Sequence, residues 1–78
     1  METTNVMNML TEVSQRIRGM REVMGISVEE MAKKTELDVE TYEKYENGLV
    51  DLPFTFIHKC SIAFGIELTE LLEGSSAL

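Results

Sequence analysis

The chain carries one cysteine, Cys60, and one histidine, His58, among 78 residues, and that scarcity removes most chemistry at once. A lone cysteine forms no internal disulfide, which fits a reducing compartment. His58 and Cys60 stand two positions apart in a segment with helical patterning, and residues at i and i+2 of a helix do not share a face. They make no nucleophile and base pair, and with no second histidine or cysteine a zinc site would need an unusual set of carboxylates. Glycine is thin as well: Gly19, Gly25, Gly48, Gly65 and Gly74 fall singly, four of them at or near expected helix ends, so there is no glycine-rich phosphate loop. Neither catalysis nor a cofactor nor a metal centre is expected. No apolar run reaches the length that spans a bilayer, and the start METTNVMNML has neither the basic region nor the apolar stretch of a secretory signal. The chain therefore reads as cytoplasmic, with no membrane partner.

Positive charge is the remaining deficit. Seven Lys and Arg against 14 Asp and Glu give a net charge of −7 and a pI near 4.5, the reverse of the electrostatic footprint of a nucleic-acid binder. Non-specific DNA affinity comes almost wholly from Lys and Arg at phosphates, so a monomer should bind DNA weakly at physiological salt. The length allows one domain that hides about two-thirds of its unfolded surface, with no room to enclose a large substrate. No segment sustains period-two alternation with turn signals, which points to an all-α fold.

What is present is a series of short helices with their punctuation. Leu10, Val13, Ile17, Met20 and Met24 recur at helical spacing over about residues 9–23, with Arg16, Arg18 and Arg21 in the later half, favourable to the helix dipole, and Gly25 as a stop. Residues 25–48, GISVEEMAKKTELDVETYEKYENG, read as two more helices joined by a tight turn. Ser27 is an N-cap with Glu30 as capping-box partner, and Val28, Met31 and Ala32 form an apolar stripe. Asp38 opens the second of the two, whose buried side is Val39, Tyr42 and Tyr45, and Asn47-Gly48 closes it. That is the outline of a helix-turn-helix, and helices this short need flanking helices to cover them. Asp51 is expected to cap, and Pro53 to enter the first turn of, a fourth helix to about residue 64 with Ile57, Cys60 and Phe64 buried; Gly65 ends it, and Thr69 caps a last turn, Glu70 to Glu73. The expected organisation is a flexible N-terminus over residues 1–9, a compact four- to five-helix bundle over 10–73, and a linker or tail over 74–78.

The order R-x-x-x-G-I-S-x-E-E-M-A over residues 21–32, followed by Tyr45-Glu46-Asn47-Gly48, resembles the Cro and phage-repressor (XRE-like) type of helix-turn-helix over roughly residues 13–73. The stretches Glu46-Asn47-Gly48-Leu49-Val50-Asp51-Leu52-Pro53 and FGIELTELLEG from Phe64 look most like regulators in which this domain precedes a small-molecule-binding cupin domain. The resemblance implies a lambda-repressor-like bundle serving as the double-stranded-DNA-binding piece of a transcriptional regulator. It also implies a homodimer in the full-length regulator and an effector reached through a C-terminal domain absent here. It places the second motif helix, about residues 38–47, in the major groove. Val39, Glu40, Thr41, Glu43 and Lys44 then face bases, Ser27, Val28 and Asn47 face the backbone, and Arg21 pairs with Glu46 in a structural role.

The departures from that pattern carry weight. Val28 and Val39 stand where many relatives place glutamine, and Leu49 where a lysine often reaches phosphate. Residues 36–46 hold five acids, Glu36, Asp38, Glu40, Glu43 and Glu46, against Lys44 alone, net −4. Arg16, Arg18, Lys33, Lys34 or a second subunit would have to compensate. Taken singly, Glu36, Glu40 and Glu43 read as a solvated face, Asp38 as a cap, and Lys33 and Lys34 as dipole partners. The alternative is an acidic protein-interaction module, an antitoxin- or coactivator-like adaptor that uses the same fold on a basic partner. The motif outweighs the charge, because net charge governs long-range attraction and not contact geometry.

Overall fold

In the computed structural model, which describes the backbone of residues 2–73 and the side chains of residues 10–73, five helices form: α1 (Glu2–Val23), α2 (Val28–Lys34), α3 (Val39–Glu46), α4 (Phe54–Phe64) and α5 (Leu68–Glu73). No strand occurs among the described residues, and the all-α bundle agrees with the patterning. Helix α1 begins at Glu2 rather than near residue 9; residues 2–8 contain no glycine or proline to stop it. The expected linker over 74–78 lies outside the described residues.

Local chemistry sets the motif boundaries. The Ser27 hydroxyl accepts from the Glu30 amide at 3.0 Å and the Asp38 carboxylate from the Thr41 amide at 2.8 Å, each satisfying one of the orphan donors of a helix start. The turn between α2 and α3 closes with the Glu36 amide bonded to Lys33 O at 3.0 Å and the Leu37 amide to Ala32 O at 2.8 Å. This is a Schellman closure, the same one that Gly65 makes after α4, but here the left-handed position is held by Glu36 at φ 64. Two expected caps are not formed. Pro53, not Asp51, occupies the cap position of α4 and makes no side-chain bond, because Leu52 is drawn into the core and the helix can start only beyond it. Thr69 lies inside α5, since a bond from the Glu70 amide to Glu67 O at 3.0 Å starts that turn earlier.

The core comprises Val13 and Ile17 of α1, Met31 and Ala32 of α2, Tyr42 of α3, Leu52, then Phe56, Ile57, Cys60 and Phe64 of α4, and Leu71 of α5. Val28, Val39 and Tyr45 are only partly buried at its margin. Met24 falls just past the end of α1 and is 46% exposed, so it leaves the stripe to which its spacing assigned it. Phe56 is the central aromatic, with Tyr42 edge-on at 5.8 Å and Tyr45 at 4.7 Å between ring centroids. Arg16 donates to the carbonyls of Leu71 and Leu72 at 2.8 and 3.1 Å, which caps the exposed end of α5 and fastens it to α1.

Candidate nucleic-acid interface

Beneath α3 lies a buried ionic bracket. Arg21 donates from Nε to Glu46 Oε2 at 2.8 Å and from its terminal nitrogen to Oε1 at 3.1 Å, while its other terminal nitrogen reaches the Ile26 carbonyl at 3.0 Å. The Tyr42 hydroxyl donates to Glu46 Oε2 at 2.6 Å, and Arg18 Nε stands 3.5 Å from Oε1. The side chains of Arg21 and Glu46 are 13% and 4% exposed, so this pair joins α1, α3 and the entry to α2 largely shielded from bulk water. Burial pulls the Glu46 pKa up, but the hydrogen bonds from Arg21 and Tyr42 and the charges of Arg21 and Arg18 outweigh it and hold the carboxyl below its ordinary range. Burial first, and then the Glu46 carboxylate, raise the Tyr42 pKa, while hydrogen bonding to Glu46 raises that of Arg21. Every buried side-chain nitrogen and oxygen among the described residues has a partner. At neutral pH Arg21 and Glu46 are ionised, Tyr42 is a neutral donor and every member is satisfied, so the bracket fixes the roll of α3.

The opposite side of α3 is open. Glu40 and Lys44 project outward with side chains 83% and 54% exposed and their charged atoms 4.0 Å apart, and Glu43 is exposed on the same face. Thr41 and Val39 are half-buried, Val39 against the core, so Val39 offers only its edge. Hydrogen bonding by Thr41, through side chain and backbone, keeps Asp38 below the ordinary carboxylate range in its capping role. Ser27 is exposed at the start of α2, its oxygen engaged by the Glu30 amide and its proton free to be donated, with half-buried Val28 next to it. Asn47, exposed at the far end of α3, accepts a hydrogen bond from Arg18 through Oδ1. The exposed candidates on α3 thus share one face, with Ser27 and Asn47 at two helix ends.

The acidity of residues 36–46 is softer in three dimensions than along the chain. Glu46 is turned inward onto two guanidiniums, Glu36 is bonded to Lys59 of α4 at 2.9 Å, and Glu40 stands beside Lys44. Glu43 is left without an ion pair among the described residues. The contact of Arg18 with Asn47 was not foreseen; the one signal available was a run of arginines at 16, 18 and 21 in the helix expected to back the motif.

Two short capped helices, α2 and α3, joined by a four-residue turn and backed by α1 and α4, define a helix-turn-helix domain. The helix-turn-helix family model matches residues 17–71, well over half of the chain, and the chain belongs to that Cro/C1-type family of DNA-binding domains, which is not a family of enzymes. None of the curated proteins matches it. No helix among the described residues is long and apolar enough to cross a membrane.

Proposed function

We propose that the chain is the sequence-specific, double-stranded-DNA-binding domain of a cytoplasmic transcriptional regulator, with α3 seated in the major groove. The observation that carries this reading is the two-sidedness of α3: its inner side is locked by the Arg21–Glu46–Tyr42 bracket, and its outer side presents Glu40, Glu43 and Lys44 with no covering element among the described residues. Lys44 donates to guanine O6 or N7, Glu40 or Glu43 accepts from cytosine N4, and Thr41 and the edge of Val39 meet a thymine methyl. Ser27, Val28 and Asn47 face backbone phosphates and set the register without reading sequence.

One such helix reads few base pairs, and a chain of net −7 gains little from phosphate attraction. The working form is a homodimer on half-sites about 34–36 Å apart, with affinity raised by effective concentration. A small-molecule effector acts through a further C-terminal domain, as the cupin-linked resemblance implies.

Selection of duplexes from a random pool, with the chain and with a covalently linked pair at two salt concentrations, tests the reading. Enrichment of a two-fold-symmetric motif is expected, and Glu43→Lys should strengthen non-specific binding and steepen its salt slope by about one. No enrichment by the linked pair and no response to Glu43→Lys would favour the acidic adaptor instead.

A further inference from the structure

We propose that the outward row of α4, Phe54, His58 and Ile62, is a self-association surface that pairs with the same row of a second copy, the two helices antiparallel about a two-fold axis at His58. The surface deepens, and rests on, the homodimer of the reading above, not its DNA target. Residues at i, i+4 and i+8 of a helix lie along one row. Phe54 and Ile62 are 61% and 65% exposed, His58 is exposed between them, and no element among the described residues covers the row. The opposite side of α4 gives Phe56, Ile57, Cys60 and Phe64 to the core, so the helix carries large apolar side chains on both sides. Such a helix is ordinarily buried on both.

Charge decides which occupant fits. None of the 14 acidic residues falls between Asp51 and Glu67, so α4 alone among the five helices carries no carboxylate. Its one lysine, Lys59, stands on the flank of the row and is held by Glu36 at 2.9 Å. Two-fold pairing sets a surface against itself, and on any of the other four helices of this chain of net −7 it would bring carboxylates together. An acidic partner, conversely, would need a cation on the row, and there the nearest one is already engaged.

The row also reads alike in both directions. Antiparallel pairing with His58 at the axis lays Phe54 of each copy on Ile62 of the other, and rows at i±4n interlock in the commonest class of helix packing. The two histidines meet at the centre, where a neutral imidazole offers one donor and one acceptor and so bonds its twin. A partner of different sequence would have no use for this symmetry. Three side chains a copy fall short of the about 1,200–2,000 Å² that a stable interface buries, so the contact is a weak one that shows at high chain concentration.

Sedimentation equilibrium of the whole chain, from micromolar to millimolar concentration, tests the surface. The variants are Phe54→Glu, Ile62→Lys and, as a control, Val23→Lys, which changes an apolar residue 84% exposed at the end of α1. All three positions are exposed, so urea midpoints should stay near the wild-type value. Reversible dimerisation is expected in the wild type and in Val23→Lys. Phe54→Glu and Ile62→Lys should each raise the dissociation constant about tenfold or more, since every dimer then sets two charges on apolar partners. An equimolar mixture of those two should recover the association. The mixed pair sets the new carboxylate against the new ammonium at one end and keeps Phe54 on Ile62 at the other. In the wild type, an isotope-filtered NOE from the Phe54 ring of one copy to the Ile62 methyls of the other reads the same contact without any substitution.

A wild type that stays monomeric at millimolar concentration, or a dimer that neither substitution weakens, overturns the surface. Weakening by both with no recovery in the mixture overturns the antiparallel pairing. The DNA reading is decided separately. A two-fold-symmetric motif selected by the linked pair keeps it even when α4 does not self-associate. A dimer broken by the α4 variants, in a chain that enriches no duplex, upholds the surface and overturns the DNA reading.

Discussion

Removing Arg21 while leaving Glu46 in place strands a carboxylate that is 4% exposed. Breaking a buried pair from one side costs about 3–5 kcal/mol. Two features pull the figure to the lower end. Tyr42 still donates at 2.6 Å and Arg18 remains 3.5 Å away. The stranded group can also escape by taking up a proton, which at pH 7 costs only about 3.4 kcal/mol for a carboxyl whose ordinary value is 4.5. Arg21→Met should thus lose about 3 kcal/mol at pH 7, a melting temperature about 12–24 °C lower for a domain of this size, from a total of about 4–12 kcal/mol. The pH dependence separates this mechanism from a simple loss of packing. In the variant the folded-state pKa of Glu46 is raised, so the penalty is full above that raised value and vanishes below 4.5. In the wild type it is lowered, so the stability it confers is present above 4.5 and lost as pH falls through the lowered value. Urea denaturation followed by circular dichroism at pH 7 and pH 5 should show the gap between wild type and Arg21→Met narrowing to about 1.7 kcal/mol at pH 5, about 0.7 kcal/mol for taking up the proton and about 1 kcal/mol for the lost hydrogen bonds. Adding Glu46→Gln to Arg21→Met should recover stability at pH 7. Equal midpoints at pH 7, or a gap as wide at pH 5, would refute the reasoning.

Glu36 holds a left-handed backbone angle that a Cβ disfavours, and its carboxylate is bonded to Lys59. In a Lys59→Gln background, where no ion pair is left to lose, Glu36→Gly should raise the melting temperature; a decrease would show that the turn gains nothing from glycine. Burial, and then the Glu46 charge, push the Cys60 thiol up to about 12, so a thiol-reactive dye near pH 8 should label the chain only through its opening, at a rate that rises with urea in step with the unfolded fraction. Rapid labelling of the folded chain would contradict the packing around Cys60.

The parts of the fold that could be read from the residues are those set within one turn of helix. Ser27 and Asp38 cap because their oxygens need only reach an amide three residues on, and Gly65 closes α4 by the same short-range rule. Asp51 and Thr69 look like equally good caps along the chain, but burial of Leu52 and the turn begun at Glu67 decide where α4 and α5 start. Phe54 and Phe56 are two apart and cannot share a face; only the rings of Tyr42 and Tyr45 select Phe56, leaving Phe54 61% exposed. The charge on the motif was the hardest property to read, because Glu36 finds its partner 23 residues away and the partner of Glu46, 25 residues away, came only from the family resemblance. Glu36 in the left-handed position has no local signal, since nothing in its own neighbourhood distinguishes it from a surface glutamate.

The most direct test of α3 as the reading element is an amide-resolved titration of a covalently linked pair of chains with its selected duplex. Resonances of Glu40, Thr41, Glu43 and Lys44 should move together with Ser27 at the start of α2, while those of α5 stay in place. If α3 remains still as the duplex is added and moves instead when a basic protein partner is supplied, the helix does not read DNA.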